Sequence, residues 1–84
     1  MSKTIFIGGL AWAIESGDLE RIFSEHATVV SAKVIFDREE NRSKGCGFVE
    51  FEDEVTASAM QEKFDWQEIQ GRKVFIDFAR EKAE

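Results

Sequence analysis

Proline is absent from the chain, cysteine and histidine occur once each, and basic residues are outnumbered by acids. The single cysteine, Cys46, cannot close an intramolecular disulfide, which excludes a small secreted domain held by staples. His26 stands alone, and no His/Cys cluster has zinc-like spacing. No apolar run approaches the roughly 18 residues that a membrane-spanning helix needs, so no membrane role is expected. No basic-then-apolar leader precedes Lys3, so a signal peptide is not expected either, and a reducing compartment is the natural expectation. What remains is 84 residues, 43% hydrophobic and 33% charged, without low-complexity tracts. That composition folds as one domain over residues 1–84. A chain this short buries only about 60% of its unfolded surface, so its core is small.

Eleven Lys and Arg against seventeen Asp and Glu leave a net charge of −6 and a pI near 4.8. A negative chain repels polyanions at long range, which argues against generic basic-patch binding to duplex nucleic acid. It leaves room for a small, locally neutral face that binds by stacking.

The alternation begins at once. Thr4-Ile5-Phe6-Ile7-Gly8 reads as a strand, with Ile5 and Ile7 on one face and Phe6 on the other. Ser16 is placed to N-cap a helix that runs to about His26, with Leu19, Ile22 and Phe23 forming its apolar stripe. Val29 to Phe36 is a second strand-like run, and the polar stretch from Asp37 to Lys44 reads as a loop. Cys46 to Phe51 alternates again, with Val49 and Phe51 sharing a face. Asp53 to Phe64 is helical in pattern, through Ala57, Met60 and Phe64. Gln67 to Arg72 is a polar turn region carrying Gly71, and Val74 to Phe78 is the last strand.

The resulting order, βαββαβ, is that of an α+β ferredoxin-like sandwich: a four-stranded antiparallel sheet with two helices on one face. The open face of such a sheet ordinarily carries polar residues. Here, with Ile5, Ile7, Val49, Phe51, Val74 and Ile76 turned to the helices, alternation sends Phe6, Phe48 and Phe75 outward. Phe36 joins them in one register of the second strand, where Lys33 and Ile35 share a face. An apolar patch of this kind marks a binding surface. The plainer alternatives are a covering terminal extension or a register slipped by one.

The residues on that patch carry a resemblance. Ile5-Phe6-Ile7-Gly8-Gly9-Leu10 resembles the RNP hexamer of the RNA recognition motif family. Lys44-Gly45-Cys46-Gly47-Phe48-Val49-Glu50-Phe51 resembles its RNP octamer. The resemblance spans Lys3 to about Arg80. It implies a sheet whose first and third strands are adjacent, with Phe6 and Phe48 side by side, each stacking a base. It also implies a phosphate contact for Lys44. Cys46 departs from the family's aromatic third octamer position and removes one platform, for which Phe36 or Phe75 would have to compensate. Ala27 stands where relatives commonly have glycine after the first helix, and strains that helix end if the backbone there is left-handed. Trp66 stands where a glycine or asparagine turn is common.

Charge placement fits the same picture. Arg38, Arg42 and Lys44 lie in or beside the second loop between strands, and Lys73, Arg80 and Lys82 surround the last strand. The acids Glu15, Asp18, Glu20 and Glu25 accompany the first helix, while Glu52, Asp53 and Glu54 open the second. Glu50 and Asp77 are the exceptions, since alternation points both to the open face. The expected ligand is therefore single-stranded RNA, with single-stranded DNA next. The expected contacts are Phe6, Phe48, Lys44, Cys46, Phe36, Phe75, Arg42 and Arg80, in a monomer without cofactor or metal.

Two rival functions differ in class. An enzyme would need a nucleophile, base or phosphate loop. His26 at a helix end, Cys46 without a partner and the bare Gly8-Gly9 pair provide none. A protein-binding module on the same fold is the stronger rival, and Cys46, the negative charge and the amphipathic rings of Trp12 and Trp66 lean toward it. Against that, the expected packing puts Trp12 over the end of the first helix and Trp66 over the second. Short strings, Phe23-Ser24-Glu25-His26 and Glu68-Ile69-Gln70-Gly71-Arg72, resemble chloroplast ribonucleoproteins and nucleolin-type proteins respectively. The expected compartment is nuclear or nucleolar, with chloroplast or cytoplasm as alternatives.

Overall fold

A computed structural model describes residues 2–11, 13–37, 39 and 42–79, apart from the side chains of residues 36, 37 and 42–44. The elements follow in the order β1 (Thr4–Gly8), α1 (Ser16–Ser24), β2 (Val29–Asp37), β3 (Arg42–Phe51) and α2 (Glu54–Phe64). A hairpin of β4 (Glu68–Ile69) and β5 (Arg72–Lys73) comes next, and β6 (Phe75–Phe78) closes the fold. The main sheet has the order β2-β3-β1-β6, antiparallel throughout, so the first and third strands lie together at its centre. This is the expected ferredoxin-like sandwich, with a separate two-stranded hairpin added where the sequence suggested only a turn.

The core lies between the sheet and the helices. Ile5, Ile7, Val49, Phe51, Val74 and Ile76 are all buried, as alternation requires, and meet Leu19 and Phe23 of α1 and Ala57 and Met60 of α2. Phe23 packs edge-on to Phe51 at 5.9 Å and tilted to Phe64 at 4.6 Å between ring centroids. Each large side chain fully buried there stabilises the fold by about 1.5–3 kcal/mol. Leu10 and Ile14, between β1 and α1, and Ile69 of β4 complete the cluster.

Several local expectations need correction. The N-cap of α1 is Glu15, whose N–H donates to Asp18 Oδ2 at 3.0 Å. Ser16 is instead the first helical residue, and its Oγ accepts from the Val34 N–H at 2.9 Å, tying the helix start to β2. The helix ends at Ser24, and Ala27 N–H donates to the Phe23 carbonyl without a left-handed backbone, so the anticipated strain is absent. The presumed loop from Asp37 to Lys44 is shorter: β2 reaches Asp37 and β3 starts at Arg42, through the pairs Phe36↔Ser43 and Asp37↔Arg42.

Asp53 caps α2, its carboxylate accepting from Thr56 N–H at 2.7 Å. That backbone hydrogen bond, then the Thr56 side chain, holds its pKa below the ordinary carboxylate value. Val74 precedes β6 rather than opening it, and is bonded in both directions to the α2–β4 turn. In the hairpin, Gln70 at φ 50° and Gly71 at φ 83° both occupy left-handed backbone, the requirement of a two-residue type I′ turn.

Candidate nucleic-acid interface

Backbone pairing lays the open face out in rows. The first row crosses the whole sheet as Lys33, Phe48, Phe6 and Asp77, from β2 to β6. The second runs Cys46, Gly8 and Phe75, and the third runs Ser31, Glu50 and Thr4. Rows between these carry the buried residues, which is why one sheet has an apolar core beneath and an aromatic surface above.

Phe6 and Phe48 are direct Cα partners and meet edge to face with centroids 5.4 Å apart. Both are only half-buried. Phe75 stands 6.3 Å from Phe6 and is 44% exposed, so three rings lie contiguous on the outer surface. The position of Phe75 depends on its neighbour across the ladder. Gly8 pairs with Phe75, and a Cβ added at Gly8 would fall within the Phe75 ring. The missing side chain lets the ring lie over β1, beside the row position of Cys46.

The other anticipated residues divide. Cys46 is a free, half-buried thiol at its expected row position. Arg42 and Lys44 belong to β3, and Phe36 to β2, but their side chains lie outside the described residues, as does Arg80 altogether. Glu50 and Asp77 do face outward. Glu50 Oε1 accepts from Ser31 Oγ at 3.4 Å, and Asp77 Oδ1 accepts from the Phe78 N–H at 2.8 Å.

Two residues of the face went unassigned in the sequence reading. Lys33 is exposed, opposite Phe48, and in no ion pair among the described residues. A register shift between Val29 and Ser31 puts an extra residue into β2 and reverses its phase, so alternation counted from Val29 could not locate it. Trp66 corrects an expectation outright. It is not packed over α2 but 64% exposed, with its ring centroid 6.3 Å from that of Phe75. Its backbone has φ 64°, the left-handed region where a glycine is common. Trp12 lies outside the described residues.

Comparison with known proteins agrees with this arrangement. Among curated proteins, the chloroplastic RNA-binding protein CP31B of Arabidopsis thaliana is 42% identical over 78 residues, covering 93% of this chain and 27% of that protein. The mitochondrial glycine-rich RNA-binding protein 2 of the same plant is 43% identical over 82 residues, covering 98% of this chain and 52% of its own length. The chain thus spans between about a quarter and a half of these two relatives. Among solved structures, RNA binding protein PG1 superposes with a TM-score of 0.87 at 42% identity, covering 99% of this chain and 100% of that one. The second RRM domain of the yeast poly(U)-binding protein gives 0.84 at 25% identity, covering 96% and 98%. The family model described as RNA recognition motif matches residues 5–74, which include both central strands and both helices, and the chain belongs to that family.

Proposed function

We propose that this domain binds single-stranded RNA by stacking bases on Phe6 and Phe48, with Phe75 as an adjoining platform. The observation that carries the reading is the pair of half-exposed rings, held 5.4 Å apart by direct backbone pairing on the face opposite the core. Every base has a π-face, so such rings bind without reading sequence, at about 1–3 kcal/mol per stacked base. A rigid sheet presents them with little ordering cost on binding.

Charge acts locally in this reading. Lys33, beside Phe48, and Lys44, at the first octamer position, are the cations assigned to phosphate. Glu50 and Asp77 border the rings and accept hydrogen bonds from base amino groups, or repel phosphate from that side. Arg42 and Arg80 are assigned the flanks, and Phe36 the β2 edge. Cys46 leaves its position without a ring, and Phe75 over Gly8 takes up the neighbouring space. The domain acts as a binding module, not a catalyst, in keeping with its family and the names of its relatives, and is proposed to act as a monomer. Single-stranded DNA presents the same π-faces and lacks only the 2′-hydroxyl. The relatives named above are chloroplastic and mitochondrial, which favours a chloroplast among the expected compartments and lends no support to a nuclear or nucleolar one.

An amide chemical-shift titration with a random RNA decamer, with DNA of the same sequence mixture in parallel, tests the proposal. Shifts should concentrate on Ile5–Ile7 and Gly47–Val49 and be larger with RNA. Shifts confined to α1 and α2 would point to a different binding face.

A further inference from the structure

The outer aromatic surface does not stop at the sheet. Phe48, Phe6, Phe75 and Trp66 form one continuous series, with successive centroids 5.4, 6.3 and 6.3 Å apart. We infer that Trp66 is a further base-stacking platform, which carries single-stranded RNA off the β6 edge onto the turn between α2 and β4. The inference rests on the stacking reading above and extends its site beyond the two motif positions.

Three observations support a ligand role for this ring. First, the ring is 64% exposed, and the core beneath is already filled by Ile69, Val74 and Ile76. Second, the backbone is at φ 64°, a conformation that a bulky side chain rarely adopts and that glycine adopts freely. A tryptophan kept there gains nothing for the turn itself, so the strain points to use of the ring. Third, the main chain holds the turn in place on both sides.

Trp66 N–H donates to the Val74 carbonyl, and Val74 N–H to the Gln67 carbonyl, each at 2.9 Å. Asp65 Oδ1 accepts from Ile76 N–H at 2.8 Å, and Gln61 Nε2 donates to the Ile76 carbonyl at 3.0 Å. The Trp66 backbone is therefore held in place relative to β6 before any ligand arrives. Spacing and charge select the occupant. Rings with centroids 5.4, 6.3 and 6.3 Å apart form a row of the kind on which successive bases of a single strand stack. Arg72 and Lys73, exposed on β5 just before Phe75, are in no ion pair among the described residues and flank the path with the charge a phosphate requires.

The position of the series also accounts for Cys46. The ring absent from the octamer side of the face is matched by rings added on the β6 side, so the row of platforms is displaced rather than shortened.

The test uses Trp66→Gly, which removes the ring while suiting the left-handed backbone, so the turn itself is preserved. Binding of a fluorescently labelled random RNA decamer is followed by anisotropy, alongside tryptophan emission, in a Trp12→Phe background where Trp66 is the single tryptophan. Trp66→Gly should bind about tenfold more weakly and lose the RNA-induced emission change that the parent shows. Trp66→Phe, which keeps a ring, should recover most of the affinity. Unchanged affinity in Trp66→Gly, in a protein where Phe48→Ala still weakens binding, would overturn the role of Trp66 and leave the motif rings standing. Saturation by RNA with no change in Trp66 emission would also overturn it and assign the ring to a protein partner. Failure of the parent to bind the decamer at all would instead overturn the stacking reading itself, and this inference with it.

Discussion

Phe48 and Phe51 lie three residues apart on β3, and the sheet sends them to opposite fates. Phe51 has no exposure and packs edge-on to Phe23, whereas Phe48 is half-exposed and packs against Phe6 on the outside. The same residue type thus does two jobs on one strand, and only its parity decides which. The inner face conforms to the hydrophobic rule: Ile5, Ile7, Val49, Phe51, Val74 and Ile76 are removed from water beneath the two helices, with Val34 and Phe78 partly buried at the edges. The outer face breaks that rule with three rings in contact, and a sheet that needed only to be stable would carry polar side chains there. The inner face explains why the chain folds, and the outer face is the surface to which the proposed RNA stacking is assigned.

The largest effect expected from this contrast belongs to the inner face. Phe51→Ala should cost about 3–5 kcal/mol of folding stability, the penalty for truncating a buried ring. Thermal or urea denaturation measures it directly. A loss below about 1 kcal/mol would mean that the ring is not part of the core. RNA affinity of whatever fraction stays folded should be little altered, since the side chain does not reach the outer surface.

A subtler substitution separates ring presence from ring position on the outer face. Gly8→Ala puts a methyl where the Phe75 ring now lies, and the exposed ring must swing aside. Affinity for an RNA decamer should fall by up to about 1 kcal/mol, the lower end of the value of one stacked base. The melting temperature should change little, because alanine costs less chain entropy than glycine and the displaced ring lies at the surface. Full retention of affinity in the folded variant would show that Phe75 is not a platform in its present place.

Much of this was legible in the sequence, and the reasons differ by region. β1 and β3 pair in unbroken register from Thr4↔Glu50 to Gly8↔Cys46, so period-2 alternation placed Ile5, Phe6, Val49 and Phe48 on their correct faces. The irregularity between Val29 and Ser31 reverses the phase of β2, so alternation counted from Val29 puts Lys33 on the wrong face, although Ser31 to Val34 pair regularly with β3. The start of β3 was hidden for another reason. Arg42 and Ser43 lack strand-forming character and are in strand because Asp37 and Phe36 pair with them.

Trp66 was the hardest residue to place. A large ring beside a short core reads as a lid, and only the left-handed turn and its hydrogen bonds to Val74 direct it outward to Phe75 instead. The capping of α1 shows the same limit on a smaller scale. Ser16 is a better N-cap residue than Glu15 in general, yet its hydroxyl is engaged by the Val34 amide, a contact 18 residues away in sequence.

If the outer rings serve binding and not folding, as proposed, Phe48→Ala separates the two most directly when RNA affinity and melting temperature are measured on the same preparation. The account predicts that affinity for a single-stranded RNA decamer falls by about 1–3 kcal/mol or more, while the melting temperature stays near that of the parent. A variant that unfolds, or one that folds and binds RNA as tightly as the parent, would contradict it.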